Sequence, residues 1–409
     1  MTDDIFSEKI ELHGHIIDSL ILPRVFDTIM ADGDSNFEVE EFTIGRHKTD
    51  PSYARILITS PSQIRLDELL DELRSEGVEV IEDTPVEFVQ TDMDGVFPEN
   101  FYATTNLQTT VRLNDGWVPV DRPEMDCGLR LDKKGDTVHC VPMHQVKQGD
   151  WIAVGKHGIR VAPLERARQR DIFEFMGSAV SSEKPKKLLI DGIAEEICEI
   201  KNRGDKVLVV GGPAIIHTGA GPYLSDIISH GFVDVLFAGN ALAVHDLENA
   251  LYGTSLGVSL QRGESIEGGH EHHLRTVNLI RRHGSIRNAV EQGLISRGVM
   301  YQCVKHNVDF VLAGSVRDDG PLPDVVTDMV VAQDTMRSYL GGVHMAIMIS
   351  TMLHSIATGN MLPADVKTVC VDINPATATK LADRGSHQAL GLVTDVESFL
   401  RELKNALVG

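Results

Sequence analysis

Three patterns of apolar and polar positions succeed one another along the chain. In the first ninety residues, KIELHGHIID alternates with period two and predicts a strand, while LILPRVFDTIMADG spaces its apolar residues for a helix. NFEVEEFTIG and SYARILITSP predict two more strands. SQIRLDELLDELRSEG then reads as an amphipathic helix with the stripe Ile64, Leu66, Leu69, Leu70 and Leu73, and VEVIEDTPVEF closes as a strand. The order β-α-β-β-α-β is the ferredoxin-like split βαβ pattern. Helical periodicity vanishes from about 91 to 165, where short apolar alternations lie between the turns NDG, KKGD, KQGD and KHG; a small β-rich domain is expected there. Beyond about 184, KVLVVGG, VDVLFAG, VDFVLAG, VHMAIMIS, VKTVCVDI and QALGLVT are apolar on both faces, as strands inside a parallel sheet are. Amphipathic stretches separate them, among them GSIRNAVEQGLISRGVMYQCVKHN, and DVESFLRELKNALV ends the chain as a helix capped by Asp395. The expected fold class is α/β: a ferredoxin-like βαββαβ domain (1–90), a β-rich middle domain (91–165) and a C-terminal doubly wound domain (166–409).

Composition narrows the partners. Of 409 residues, 38 are Lys or Arg and 60 are Asp or Glu, a formal charge of −22 that disfavours nucleic acid and anionic membrane surfaces. The N-terminal MTDDIFSEKIELHGH lacks the basic and apolar regions of a signal peptide, and no apolar run reaches membrane-spanning length. Five cysteines, Cys127, Cys140, Cys198, Cys303 and Cys370, form no CxxC, so a reducing, cytoplasmic setting is expected.

Open parallel sheets bind ligands beyond the carboxyl ends of their strands. That rule selects Asn240 and Ala241 after VDVLFAG, Asp318 and Asp319 after VDFVLAG, and Thr351, Met352, Leu353 and His354 after VHMAIMIS. It also selects Asp372 at the end of VKTVCVDI and Asp395 with Val396 after QALGLVT. An acid at the Asp372 position either accepts both hydroxyls of an adenosine ribose, which favours NAD over NADP, or caps the helix from Pro375 onward. GGPAIIHTGAGP follows the first strand without being a GxGxxG loop; Gly219, Ala220 and Gly221 either admit a phosphate or nicotinamide or form a plain turn. In GGHEHHLR the spacing of His270, His272 and His273 is poor for zinc, so no metal is expected and the cluster lines a polar pocket or starts a helix. In the middle domain, Asn106, Thr109 and Arg112 are candidates to line a substrate site, and Cys140 is either an activated thiol or an ordinary strand cysteine.

Several segments together resemble a known family: ATTN (103–106), GDWIAVGKHGIRV (149–161), FEFMGSAVSSEKPK (173–186), FAGNALAVHDLENALYGTSLG (237–257), SVRDDGPLPDV (315–325) and VDINPATATKLADRGSHQALGLVTDV (371–396), with GGPAIIHTGAGPYL and GGHEHHLR. They resemble the family named for a region shared with lysine-oxoglutarate reductase/saccharopine dehydrogenase. Its members include archaeal-type ornithine cyclodeaminases and the C-terminal half of cyanobacterial arginine dihydrolase/ornithine cyclodeaminase fusions. The resemblance implies a Rossmann-like, deoxyhypusine synthase-like NAD domain, with NAD touching Asn240, Ala241, Asp319, Thr351, Met352, Leu353, His354, Asp372, Asp395 and Val396. It implies conversion of ornithine to proline and ammonia with NAD recycled in place, by a cytoplasmic homo-oligomer acting on a small amino acid. Such a site needs a cation for the α-carboxylate and a base for the α-ammonium. Arg112, beside Asn106, is the candidate cation, and Asp318 and His270 are the candidate proton carriers. The competing readings are another NAD-dependent, lysine-related amino-acid oxidoreductase and a non-catalytic sensor of NAD or amino acids.

Overall fold

In a computed structural model, which describes residues 6–14, 16–17, 21–45, 50, 52–75, 78–80, 84–114, 116–162, 186–255, 258–259, 272–318, 320–377, 380 and 389–409, the chain falls into two units, 1–174 and 175–409. The first begins with β1 (Phe6–Gly14), α1 (Ile21–Asp32), β2 (Asn36–Thr43), β3 (Ser52–Ser60), α2 (Gln63–Ser75) and β4 (Glu79–Val80). These strands form an antiparallel sheet in the order β2-β3-β1-β4, the arrangement a split βαβ connectivity produces. Ile10, Leu12, Ile56 and Ile58 of the sheet pack against Val25 and Ile29 of α1 and against Leu66, Leu69, Leu70 and Leu73 of α2. Ile64 departs from the expected stripe and is exposed. Two residues on a helix are about 200° apart, so Ile64 and Leu66 cannot share a face.

VEVIEDTPVEF does not act as one strand. Glu79–Val80 pairs with β1, whereas β5 (Glu87–Gln90) joins a second sheet; Pro85, which has no N–H to give a ladder, lies between them. That sheet adds β6 (Thr109–Leu113), β7 (Gly116–Asp121), β8 (Gly128–Leu131), β9 (Val138–Val141), β10 (Trp151–Val154) and β11 (Ile159–Val161), in the order β11-β6-β7-β9-β8-β10-β5. Only β7 and β9 run parallel. Val111, Val120, Leu129, Val138 and Ala153 form its small core.

The second unit contains, in order, α3 (Lys186–Arg203), β12 (Lys206–Gly211), α4 (Ala214–His217), α5 (Gly221–Ser229), β13 (Val235–Gly239), α6 (Asn240–Tyr252), β14 (Thr254–Ser255) and β15 (Val258–Ser259). It continues with α7 (His272–His283), α8 (Ile286–Glu291), α9 (Val299–Lys305), β16 (Asp309–Ala313), β17 (Val325–Val326), α10 (Met329–Tyr339), β18 (Val343–Ile349), α11 (Met352–Met361), β19 (Lys367–Asp372), β20 (Ala389–Val393) and α12 (Val396–Val408). All six expected strands lie in one parallel sheet, ordered β17-β16-β13-β12-β18-β19-β20. Two-residue β17 at the edge was too short to leave a pattern. The expected helical stretch from Gly284 divides into α8 and α9 because Gly293 and Gly298, both at positive φ, interrupt it. Among the described residues, no helix is long and apolar enough to cross a membrane.

Candidate active site

The order of the parallel sheet locates a crevice. β12 pairs with β13 on one side and with β18 on the other, so successive connections leave β12 and β18 toward opposite faces. Where the two strands end, the backbones nearly touch: a Cβ added to Gly212 would sit 2.0 Å from the Ser350 carbonyl oxygen and 3.1 Å from Thr351 Cβ. Gly212 N–H donates to Ile349 O at 2.9 Å, and Ser350 N–H donates to Val371 O at 2.9 Å. Ser350 takes φ +49, a left-handed conformation costing a non-glycine residue about 1 kcal/mol. Such strain concentrates at functional positions.

Two helices open onto this edge without a side-chain cap. α6 starts behind Gly239 and α11 behind Thr351, whereas α8, α10 and α12 are capped by Ser285, Asp328 and Asp395. Uncapped first-turn N–H groups with the positive end of the helix dipole suit a phosphate. Beside them stand apolar side chains left in solvent: Leu353 is 80% and Ile373 74% exposed.

The expected residues take up varied posts. Asn240 is buried and its Oδ1 accepts the Leu322 N–H at 3.1 Å, pinning the loop after β16. His354 Nδ1 lies 3.2 Å from Thr351 Oγ1, and its ring covers Gly239, where an added Cβ would be 3.0 Å from Cε1. Burial holds this imidazole below the usual histidine range, with Asp318 pulling the other way. Asp318 itself braces its own turn, accepting the Ser315 N–H at 2.8 Å. Asp372 accepts the Asn374 N–H at 2.8 Å and the Thr377 hydroxyl at 3.2 Å, so it does cap the turn into the following helix. Asp395 accepts the Ser398 N–H at 3.0 Å as the expected cap, with Val396 buried behind it. Ala241 and Met352 lie in the first turns of α6 and α11. Asp319 and His270 lie outside the described residues.

Asn106 and Arg112 belong to the first unit. Asn106 is buried with Oδ1 unpartnered among the described residues; the Arg112 guanidinium stands 6.0 Å from the Trp117 ring centre. In the same unit, hydrogen bonding from Cys127 holds the Cys140 thiol below its usual range, against the effect of burial. Cys303 and Cys370 are buried, and burial pushes the Cys370 thiol up to about 12; Cys198 is only half-buried.

One polar group escaped the sequence reading. His245 and Glu248 of α6 are buried beside His273 of α7, and one ligand-type atom from each lies within 4.8 Å of the others. The His217 ring lies tilted against His245, with ring centres 4.5 Å apart. The sequence signal is in LAVHDLENAL, where three ionisable residues sit among apolar ones; the HEHH run by itself does not point to α6, because no spacing links the two segments.

Three family models cover the chain: the LOR/SDH bifunctional enzyme conserved region over residues 7–107, the first region of the arginine dihydrolase ArgZ-like C-terminal part over 108–190, and its Rossmann fold over 191–403. An ornithine cyclodeaminase of Methanothermobacter thermautotrophicus is 55% identical over 395 residues, 96% of either chain. The crystal structure of apo ArgZ, a cyanobacterial arginine dihydrolase, matches with TM-score 0.81 and 38% identity, over 98% of this chain and 58% of that one. The ternary complex of AgrE with ornithine and NAD+ matches with TM-score 0.52 and 40% identity, over 98% of this chain and 57% of that one.

Proposed function

Because the chain belongs to the family of ArgZ-like C-terminal regions and ornithine cyclodeaminases, we propose that it is an NAD-dependent ornithine cyclodeaminase, converting L-ornithine to L-proline and ammonia. The observation that carries this reading is the switch-point crevice between β12 and β18 in a chain whose whole length matches that family. The crevice suits NAD. The uncapped starts of α6 and α11 would hold the pyrophosphate, Asp372 the adenosine ribose, and Leu353 and Ile373 the faces of the adenine. NAD would supply a reversible hydride acceptor, which gives ornithine a leaving group at Cα and is restored within the turnover.

The residues of the chain orient and shield. Asn240 fixes the loop after β16 against α6, and Thr351 fixes the His354 ring beneath the crevice. We place the reaction in a cytoplasmic homo-oligomer; five free thiols fit a reducing compartment, and the exposed Met329, Val330 and Val331 of α10 fit self-association.

The test uses ornithine deuterated at Cα. Proline should keep the deuterium at Cα, and reduced nicotinamide should not exceed the enzyme concentration. Unlabelled proline, or reduced cofactor rising in step with product, would exclude the recycling reaction and favour an ordinary amino-acid dehydrogenase.

The ribose assignment has its own test. Asp372→Ala should weaken NAD binding by about 1–3 kcal/mol, the range for losing hydrogen bonds to a charged acceptor, and should narrow the preference over NADP. Thr377→Val, which removes only an internal partner of Asp372, should change neither. Titration of both cofactors decides; tighter binding of NADP by the unmodified protein would end the assignment.

A further inference from the structure

Beyond its first turn, α6 carries polar groups that cofactor binding does not explain. His245 and Glu248 are 4% and 0% exposed. Five residues of helix rise put His245 about 7.5 Å from Asn240 at the crevice edge. His245 Nδ1 lies 3.3 Å from Glu248 Oε2, and the Thr254 hydroxyl donates to Glu248 Oε1 at 2.9 Å. A hydroxyl has one proton to give, so His272 Nδ1, 2.9 Å from the same oxygen, is the donor there. On the opposite side the row continues to His217. That residue ends α4, which begins two residues beyond Gly212 on the crevice side of β12. His217 is half-buried, its Nδ1 lies 2.7 Å from Ser255 Oγ, and no described residue bonds its Nε2. A buried carboxylate is costly unless protons or cations compensate it. Here the compensating groups form a row of imidazoles from the interior to the crevice side.

We infer that His217, His245 and Glu248 form the pocket that takes a proton from the substrate's primary ammonium, an inference that rests on the ornithine reaction proposed above. An ammonium has no lone pair with which to expel a hydride from Cα. When the His217 Nδ1–H donates to Ser255, Nε2 can accept one ammonium proton; the electrons of that N–H bond stay on nitrogen and become the C=N bond as the hydride departs. Glu248, acting through His245, compensates the imidazolium so formed. Burial and His245 hold His217 below the usual histidine range, and Glu248 opposes them. The free δ-amine then adds to Cα. The α-nitrogen leaves as ammonia, with its two imine protons and the one returned by His217. The added δ-nitrogen releases a proton that the ammonia carries off as ammonium, and the neutral pocket is restored.

The test uses NAD-loaded protein with His217→Gln and Glu248→Gln. Rapid mixing with ornithine, followed at the reduced-nicotinamide band, should show hydride transfer slowed about 100- to 10,000-fold in His217→Gln, with NAD affinity unchanged. Added imidazole should restore part of the rate in His217→Ala. Without substrate, histidine NMR should show His217 titrating at lower pH in Glu248→Gln, since Glu248 is the group that raises it against burial and His245. A His217→Gln rate within tenfold of the parent, or an unmoved His217 titration, would overturn the inference. So would one tightly held divalent ion per chain that is lost in Glu248→Gln, which would make His245, Glu248 and His273 a metal site. If the parent protein itself neither reduces bound NAD with ornithine nor makes proline, the ornithine reading fails instead, and the NMR titration still judges the coupling within the pocket.

Discussion

Gly212→Val is expected to lower the unfolding free energy by about 3 kcal/mol or more and to abolish NAD binding. The reason is steric. The first atom of any side chain at 212 would fall 2.0 Å from the Ser350 carbonyl oxygen and 2.7 Å from its carbon. Both belong to the backbone, so no rotamer change relieves the clash; the ends of β12 and β18 must separate. That movement breaks the Gly212–Ile349 hydrogen bond and displaces Thr351, from which α11 begins. Gly253→Ala is the control. Gly253 ends α6 at φ +71 with nothing near its absent side chain, so alanine there should cost only about 1 kcal/mol of conformational energy and spare the cofactor. Denaturant midpoints and NAD titrations on both variants decide. Gly212→Val with parental stability and NAD affinity would mean that the two strand ends are not packed as described.

Asp246→Ala should cost about 2–5 kcal/mol. This buried carboxylate accepts the Val299 N–H at 2.9 Å and the Met300 N–H at 2.8 Å, capping α9 from a neighbouring helix. Alanine would strand two buried donors, each worth about 1–3 kcal/mol. Gly298 is required at the same junction, since a Cβ there would lie 2.7 Å from Asp246 Oδ2. The charge adds a pH dependence of defined sign. Burial raises Asp246 to about 6 from 3.8, so between those values the folded chain binds a proton that the unfolded chain has released. Stability from this group is therefore full below about pH 4 and is lost as pH rises through 6, by on the order of 3 kcal/mol. Asp246→Asn should lose that slope. Parallel curves for parent and Asn variant between pH 4 and 7 would exclude the assignment.

The parallel sheet was legible because each of its six main strands is apolar on both faces and bounded by turn residues. The same logic exposed the strand ends, and Asp395 could be read as a cap from its place before an amphipathic run. Legibility failed where contacts, not periodicity, decide. β5 left its expected strand because its partner, β10, lies some sixty residues on, and nothing local records that pairing. The helix expected after Gly284 broke at its glycines, and Gly298 answers to Asp246, some fifty residues earlier in sequence. His217, His245 and Glu248 share no motif; α4 supplies the first and α6 the other two, and only the fold brings the two helices together. Asp372 shows the converse limit, since one residue can satisfy both the capping and the ribose reading.

The pairing of β12 with β18 also sets an order of assembly. Lys206 meets Val343, a separation of 343 − 206 = 137 residues, while β13, β16 and β17 extend the sheet from the other edge of β12 using only intervening chain. Closing so long a loop is entropically unfavourable and makes such a contact slow to form. During synthesis, β17 to β12 can therefore assemble as a half-sheet with one edge of β12 bare until β18 emerges and docks. The crevice proposed for NAD does not exist before that event. On that proposed placement a nascent chain would not capture the dinucleotide early, and the dinucleotide would clamp the seam that formed last, so the loaded protein should come apart more slowly than the empty one along that same line.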